Sequence, residues 1–253
     1  NINKDVLLNL VLAQKELNFK PGDELSYSNG GYTLLAEVIE RVSGQDFDQF
    51  IKDRILKPLD MQQSNIITNA ETIIPGRAVG YKERPGGFGQ MNGWVELEGS
   101  AGLHTSVNDL IKYCTNFDDP KVGSRAIFEK MDTPVNLNDG SSTGNGLGQF
   151  IKTYRGRSII EHGGMWDGIR TVIVRVPDED LCIIMLSNYP DKFDVHFPLF
   201  SAKVLDIFLG EEEKTSETKF DSLKVIDLSK EILETFAGNY QVNQYMKGSV
   251  IMD

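Results

Sequence analysis

Residues 146–189 read GLGQFIKTYRGRSIIEHGGMWDGIRTVIVRVPDEDLCIIMLSNY. Within this stretch, four apolar or alternating runs are separated by short turn signals, RGR, the turn near Met165 to Gly168, and DED. Strands joined by such short turns pair with their neighbours in sequence, which predicts an antiparallel meander. The last run, Leu181 to Leu186, is almost continuously apolar, as is typical of a strand covered on both faces. The stretch therefore predicts an α+β fold, an antiparallel β-sheet with helices on both faces.

Apolar residues at helical spacing supply the covering helices on either side of the meander. Gly44 and Pro58 are the predicted stop signals of two of them, and Ser106 is placed to cap a third, with Leu110, Ile111 and Cys114 on its buried side. In the last helix we expect Phe197, Phe200, Val204, Leu205 and Phe208 to cover one face of the sheet. The predicted helices span about residues 3–17, 31–42, 47–56, a segment after Ser106, 126–131 and 193–209.

The composition divides the chain into three parts. Residues 1–209 form the main domain, residues 210–228 form a charged linker that contains EEEKTSETK, and residues 229–253 form a short appendage or the start of a further domain. Inside the main domain, residues 65–99 show no sustained period, so we expect a long loop with at most short strands or turns.

The overall charge restricts the partners. The chain has 37 acidic and 26 basic residues and a net charge of −11, which disfavours a nucleic-acid or anionic-membrane surface. No run is long enough to span a membrane, and the first ten residues lack the order of a signal peptide; a targeting segment would precede them, so cell envelope and cytoplasm both stay open. We expect a small-molecule or peptide-like substrate.

The cysteines and histidines give no sign of a metal or a disulfide framework. Cys114 and Cys182 are interpreted as two small core residues. His104, His162 and His196 have no paired ligand spacing. We therefore expect no metal and no other cofactor.

Residues 19–44, FKPGDELSYSNGGYTLLAEVIERVSG, contain the first group of polar residues that could carry chemistry. Tyr27 and Asn29 lie two residues apart in a segment that we expect to be extended, so both side chains could face one cleft while Ser28 points away. The alternative is a tyrosine that packs and an asparagine that caps a turn.

The second group is Glu161-His162-Gly163-Gly164, at the end of one predicted strand. Glycines there would let a ligand approach the backbone and would free the N–H group of Met165 to point into a cleft. The alternative is a bulge or hairpin corner with an incidental histidine.

Several motifs of this chain occur together in one known family. They are F-x-P-G-x-x-x-x-Y-S-N-x-G-Y-x-L-L, V-S-G, K-P-L-D-M, S-A-G-L-x-T-S-x-x-D-L, G-L-G, H-G-G and P-D-E-D-L-x-I-I-M-L-S-N. In this order they resemble the serine β-lactamase and penicillin-binding-protein family, above all its class C-like branch, which also contains esterases and D-aminopeptidases. The resemblance spans about residues 17–209 and implies a β-lactamase/transpeptidase-like fold.

The resemblance also implies roles for individual residues. Tyr27 would be a general base or proton relay, and Asn29 would bind the substrate through its amide. His162 would stand beside the substrate, with Gly164 giving clearance, and the N–H group of Met165 would form half of an oxyanion hole.

Three aromatic residues are candidates for the surroundings of the substrate. Trp166, next to the H-G-G motif, is placed at the rim of the cleft. Trp94 and Phe88 could line the entrance, but local packing is the favoured interpretation.

The chain departs from the family pattern at the nucleophile. The family carries it in a Ser-x-x-Lys motif several tens of residues before Tyr-x-Asn, whereas 26 residues precede Tyr27 here. The string from Ser216 to Lys219 lies in the charged linker and is interpreted as chance. We expect that the nucleophile, an amino-terminal helix and the first sheet strands belong to a missing amino-terminal segment, without which a sheet edge would be exposed.

The sequence thus predicts a serine acyl hydrolase of the β-lactamase and penicillin-binding-protein type. The intact protein would cleave an amide, ester or β-lactam through an acyl-enzyme, and residues 1–253 alone would be inactive. Two alternatives stay open, a non-catalytic ligand-binding or sensor module and an inactive fragment of the same fold.

Overall fold

The computed structural model of the protein describes residues 4–69, 72–91, 97–189, 197–210, 238–243 and 246–250. Its helices are α1 (Lys4–Leu12), α2 (Asn29–Ser43), α3 (Phe47–Ile51, continued by a π-helical turn over Lys52–Leu56), α4 (Val107–Asp118), α5 (Arg125–Met131) and α6 (Phe197–Leu209). Its strands are β1 (Asn65–Ile66), β2 (Gly80–Arg84), β3 (Gly87–Met91), β4 (Leu103–His104), β5 (Phe150–Tyr154), β6 (Arg157–Trp166), β7 (Ile169–Val176), β8 (Leu181–Ser187), β9 (Gly238–Asn243) and β10 (Met246–Val250).

The central sheet is the meander that the sequence predicts. Its four strands lie in the order β5-β6-β7-β8, and each is antiparallel to the next. Arg175 of β7 lies opposite Ile160 of β6 and Cys182 of β8, and Val174 lies opposite Glu161 and Ile183. Because successive side chains of a strand point to opposite faces, Arg175 and Val174 mark the two faces of this sheet.

Helices cover both faces, as predicted. On the Val174 face, apolar side chains of β6, β7 and β8 pack against α6 in one buried cluster: Ile159, Val172, Val174, Val176, Ile183 and Leu205. On the opposite face lies α4, where the Arg175 guanidinium stands 3.6 Å from the centre of the Phe117 ring. Both layers remove apolar surface from water, which is the main stabilising contribution to a domain of this kind.

Cys114 is buried in the core as predicted, but the expectation that the two cysteines form no disulfide is wrong. Cys114 of α4 and Cys182 of β8 form a disulfide, with their Cα atoms 6.5 Å apart. The sequence places them 68 residues apart, so the pairing depends on the packing of α4 across β8, which periodicity does not reveal.

The bounds of α2 differ from the prediction at its start. The helix begins at Asn29 and not near Gly31, because Ser28 is the N-cap and its Oγ accepts a hydrogen bond from the Gly31 N–H at 3.0 Å. It ends where Gly44 adopts a φ of 70° and donates its N–H to the Glu40 carbonyl.

Three further helix predictions hold in part. Helix α1 ends at Leu12, before the predicted residue 17. In α4 the Ser106 cap, Leu110 and Cys114 are as predicted, but Ile111 is exposed. In α6, Val204 and Leu205 pack on the sheet as predicted, whereas Phe208 is exposed, and residues 193–196 lie outside the described ranges.

The segment of residues 65–99 contains short strands, as expected. Strand β1 pairs with β4, and β2 forms a hairpin with β3. The Phe88 ring packs edge-on against Tyr189, in keeping with local packing. Trp94 and the linker after Gly210 lie outside the described residues.

Near the end of the chain, β9 and β10 form a second antiparallel hairpin. Among the described residues, β5 and β8 are the outer strands of the central sheet. No helix in the described ranges is both long enough and apolar enough to cross a membrane.

Candidate active site

Three aromatic rings from distant parts of the chain meet at one end of the sheet. Tyr27 precedes α2, Phe150 begins β5 and His162 lies in β6. The centre of the Tyr27 ring is 6.4 Å from that of His162 and 6.3 Å from that of Phe150, and the Phe150 and His162 rings are 5.4 Å apart. The ring planes are inclined by 17° to 29°, so the rings are stacked side by side with offsets.

These rings border a cleft of about 300 Å³. One wall comes from residues 25–28 and the first turns of α2, and the other comes from residues 145–146, residues 148–150 and His162. The two motifs that the sequence singled out, Tyr-Ser-Asn and His-Gly-Gly, therefore each contribute to the same cleft, through Tyr27 and His162.

The His162 ring is partly buried in this arrangement. Burial lowers the pKa of His162 below its ordinary value, while a hydrogen bond with the Gly163 backbone and the charge of Glu161 oppose this effect. Glu161 is itself paired with Lys152, whose Nζ lies 2.6 Å from its Oε1. The lowered pKa favours a neutral imidazole near pH 7, a form that both accepts and donates a hydrogen bond.

Asn29 does not share the position of Tyr27. It is the first residue of α2 and is exposed, and its carbonyl accepts a hydrogen bond from Thr33 Oγ1 at 3.3 Å. Ser28 lines the cleft, contrary to the expectation that it points away. The expectation assumed an extended segment through Asn29, but the cap at Ser28 starts the helix at Asn29, two residues before the predicted start.

The residues after His162 remain in the sheet. Strand β6 stays paired with β7 through Trp166, and Gly164, Met165 and Trp166 do not line the 300 Å³ cleft. A Cβ atom at Gly164 would lie 2.5 Å from Thr171 Oγ1, so a larger residue there would force the Thr171 side chain to move. Met165 is exposed, and the Trp166 carbonyl accepts a hydrogen bond from Arg170 Nη1 at 2.8 Å.

The cleft also contains residues that sequence reasoning missed. Tyr32 and Phe150 are the large ones, and Asn145 and Gln149 are the polar ones. Tyr32 could have been found from its place in the first turns of α2, next to the Tyr-Ser-Asn motif. Asn145, Gln149 and Phe150 could have been found because they flank the G-L-G motif, which entered the sequence analysis only as part of the resemblance. At Gly148, with a φ of 76°, a Cβ atom would lie 3.1 Å from Tyr32 Oη, so the loop packs directly on this phenol.

Tyr32 also lies close enough to Tyr27 for the two phenols to interact. Burial, and to a lesser extent the nearby Tyr27, raise the pKa of Tyr32. Tyr32 therefore stays a neutral hydrogen-bond donor or acceptor at the floor of the cleft.

Helix α2 is fixed behind the cleft by contacts with residues 98–100. The Nζ of Lys4 lies 2.5 Å from Glu40 Oε2 and 3.1 Å from Glu98 Oε2. The hydroxyls of Thr33 and Ser100 are 3.2 Å apart and hydrogen-bonded. These partly buried polar contacts join three segments and thereby set the position of the Tyr27 wall.

Within the described ranges, no group of three or more histidine, cysteine, aspartate or glutamate side chains is arranged to hold a metal ion.

The fold and the cleft belong to a known class of protein. The family model described as Beta-lactamase matches residues 7–200, which is more than half of the chain. The chain therefore belongs to the beta-lactamase family, and its β-lactamase/transpeptidase-like fold is the one that the motifs predict.

Individual relatives are recognisable across most of the chain. It is 27% identical to a D-aminopeptidase of Gluconobacter oxydans over 198 residues, which cover 78% of this chain and 37% of that protein. It is 28% identical to penicillin-binding protein 4* of Bacillus subtilis, with 94% of this chain and 56% of that protein covered. Among solved structures, the octameric penicillin-binding protein homologue from Pyrococcus abyssi superposes with a TM-score of 0.66 at 25% identity, covering 80% of this chain and 48% of the other. The chain thus spans between about a third and just over half of the length of these proteins.

Proposed function

We propose that the protein is a serine acyl hydrolase that cleaves an amide, ester or β-lactam bond through an acyl-enzyme. The observation that carries this proposal is the meeting of Tyr27 and His162 across one cleft in a chain of the beta-lactamase family. Acyl transfer requires a nucleophile, a group that takes its proton and donors for the developing oxyanion. The cleft offers Tyr27 and His162 as candidates for the group that takes the proton. Strand β6 beside it offers the Met165 N–H as a candidate donor for the oxyanion.

In this proposal, Tyr27 takes the proton of the nucleophile and returns it to the leaving group. The neutral imidazole of His162 hydrogen-bonds the phenol or the substrate, which the lowered pKa of His162 supports. Asn29 binds the substrate through its amide, and the Met165 N–H contributes to the oxyanion hole next to Gly164. In the same proposal, Trp166 lies at the rim of the substrate site, outside the 300 Å³ cleft.

The nucleophile belongs, in this proposal, to a Ser-x-x-Lys segment outside residues 1–253. The serines that line the cleft are Ser26 and Ser28. Ser28 Oγ accepts the hydrogen bond that caps α2, a role that holds its lone pairs toward the Gly31 N–H and away from a substrate. Neither serine is followed by a lysine three residues later.

An apolar surface next to the cleft could receive such a segment. Four exposed side chains recur at helical spacing along α2, namely Tyr32, Leu35, Val38 and Val42, and we call them the α2 stripe. Two of them, Tyr32 and Leu35, also line the cleft, so a helix packed along the stripe would end beside Tyr27. A contiguous exposed apolar stripe of this kind is typical of a surface that another segment covers.

Among these classes, the names of the relatives favour a small peptide-like amide, with a D-amino acid at the cleaved bond. Two relatives are named D-aminopeptidase and penicillin-binding protein, and the cleft combines apolar walls with a few polar groups, as small-molecule sites do.

The test is hydrolysis by the full gene product that contains residues 1–253. D-alanine p-nitroanilide, nitrocefin and p-nitrophenyl acetate cover the amide, β-lactam and ester classes. We expect turnover of at least one of them, with loss of turnover in Tyr27→Phe and retention in Tyr81→Phe, which removes a phenol in β2. Saturable binding without turnover of any of the three would instead make the protein a binding module.

A further inference from the structure

Phe150 contacts both residues on which the proposed chemistry depends. Its ring centre is 5.4 Å from that of His162 and 6.3 Å from that of Tyr27, with the planes inclined by 18° and 17°. The three nearly parallel rings leave the imidazole with an aromatic neighbour on the strand side and another on the α2 side. Offset stacking of this kind stabilises the relative placement of the rings beyond the burial of area.

The backbone that carries Phe150 is anchored on both sides. The preceding residue, Gln149, accepts a hydrogen bond from the Gly146 N–H at 2.9 Å, and the following residue, Ile151, donates its N–H to Gly144 at 2.7 Å. A Cβ atom at Gly146 would lie on top of the Met131 carbonyl, so this loop fits its place only with glycine.

The side chain of Gln149 adds a third anchor from the interior. The buried Arg175 donates from Nη2 to Gln149 Oε1 at 3.0 Å and to Asp132 Oδ1 at 2.5 Å. Gln149 Nε2 in turn donates to the same Asp132 oxygen at 3.1 Å. The three side chains are paired with one another around the buried Arg175, and this partly buried network fixes the residue next to Phe150.

We propose that Phe150 is a positioning residue, which holds the His162 imidazole against Tyr27 and excludes water from it. It acts through His162 and Tyr27 and takes no part in proton transfer itself. That Phe150 matters for catalysis rests on the proposed function. That it positions the His162 imidazole does not.

The electrostatic surroundings of His162 make its titration a direct readout. Burial lowers the pKa of His162, and Phe150 is one of the groups that bury it. The groups around the ring are Glu161 in β6, paired with Lys152 in β5, the phenols of Tyr27 and Tyr32, and the uncharged Phe150 and Ile173. Because none of the charged groups changes when Phe150 is replaced, a changed pKa reports the access of water.

The experiment is an NMR titration of the 253-residue chain, in which three histidines give three resolvable ring signals. The variants are Phe150→Ala, Phe150→Tyr and Phe150→Leu, and His162→Gln assigns the signal. Phe88→Ala is the matched control, since Phe88 is an exposed phenylalanine that packs on Tyr189 and not on the cleft.

We expect the titration midpoint of His162 to rise toward that of an exposed histidine in Phe150→Ala and to stay at the wild-type value in Phe150→Tyr and Phe88→Ala. If Phe150→Ala does not fold, Phe150→Leu decides, because it keeps an apolar side chain but not the ring that stacks on the imidazole; its midpoint is expected to rise as well. An unchanged midpoint in whichever of these two variants folds overturns the proposal. The readout requires no catalysis, so a protein that fails to hydrolyse any substrate would still test it.

Discussion

The imidazole ring of His162 in β6 lies 6.4 Å from the phenol ring of Tyr27, which precedes α2 at the opposite wall of the cleft. The relationship depends on two separate structures, the Ser28 cap that turns the chain into α2 and the pairing of β6 with β7. It places a phenol and an imidazole on the two sides of a space large enough for a small substrate, the arrangement on which the proposed proton transfer depends.

Replacement of Tyr27 by phenylalanine tests the proton-transfer role. In the hydrolytically active gene product we expect kcat/KM to fall by roughly 10²- to 10⁴-fold, the usual contribution of a general acid–base group. Tyr27 is 55% exposed, so the free energy of unfolding should change by less than about 0.5 kcal/mol. Steady-state kinetics and urea unfolding measure the two quantities. A kcat/KM equal to that of Tyr81→Phe would show that the phenol transfers no proton.

The stability of the 253-residue chain should fall as the pH drops below the ordinary histidine value of about 6.5. Burial lowers the pKa of both His162 and His104 in the folded state. The unfolded chain therefore binds protons more readily than the folded chain. As a result, the free energy of unfolding rises with pH in this range and falls on acidification. Urea unfolding between pH 7.5 and pH 5.5 measures the slope.

The slope of the free energy of unfolding against pH should be smaller in His162→Gln than in the wild-type protein. It should be smaller still in the double variant that also carries His104→Gln. Both single variants serve as controls for each other, because each removes one titrating group and leaves the other. Equal slopes in the wild-type and double-variant proteins would refute the assignment to these histidines.

The disulfide between Cys114 and Cys182 predicts the absence of free thiols. Intact mass after alkylation should show no adduct in the unfolded, unreduced protein and two adducts after reduction. Because the bond links α4 to the sheet across 68 residues, Cys182→Ser should lower the free energy of unfolding by about 2–4 kcal/mol. Two adducts without reduction would contradict the bond.

If the α2 stripe is covered in the full gene product, Val38→Asp should have different effects there and in the 253-residue chain. Val38 is 53% exposed in this structure, so Val38→Asp should change the stability of the 253-residue chain by less than about 1 kcal/mol. In the full gene product the same change should abolish hydrolysis, because the carboxylate would be buried against the segment that, in the proposed function, carries the serine. Ile73→Asp, at a more exposed apolar residue in the part of the chain after α3, is the control and should leave both quantities unchanged. Full hydrolysis by Val38→Asp would show that the serine segment packs elsewhere.

Local patterns were sufficient to predict the central sheet, whereas the meeting of the two motifs was predicted from the family resemblance. Short turns between apolar runs determine an antiparallel meander, and the continuous apolar run of β8 indicates cover on both faces. Tyr27 and His162 could be placed at one cleft because the motifs around them resemble a family in which they meet.

Features that depend on contacts between distant segments could not be predicted. The disulfide requires that α4 crosses β8, and the place of Phe150 requires that Arg175 of β7 reaches Gln149. The position of Asn29 was misjudged for a local reason, since a serine cap can begin a helix before two glycines, at a point where propensity favours a loop.

The central claim is that a serine outside residues 1–253 forms an acyl-enzyme at the Tyr27–His162 cleft. Its most direct test is the intact mass of the longer gene product after reaction with a fluorophosphonate or a penicillin, followed by peptide mapping of the adduct. We predict one adduct per chain, on the serine of a Ser-x-x-Lys motif that precedes Asn1, with a slower reaction in Tyr27→Phe. The absence of an adduct with both reagents, or an adduct on Ser26 or Ser28, would contradict the account.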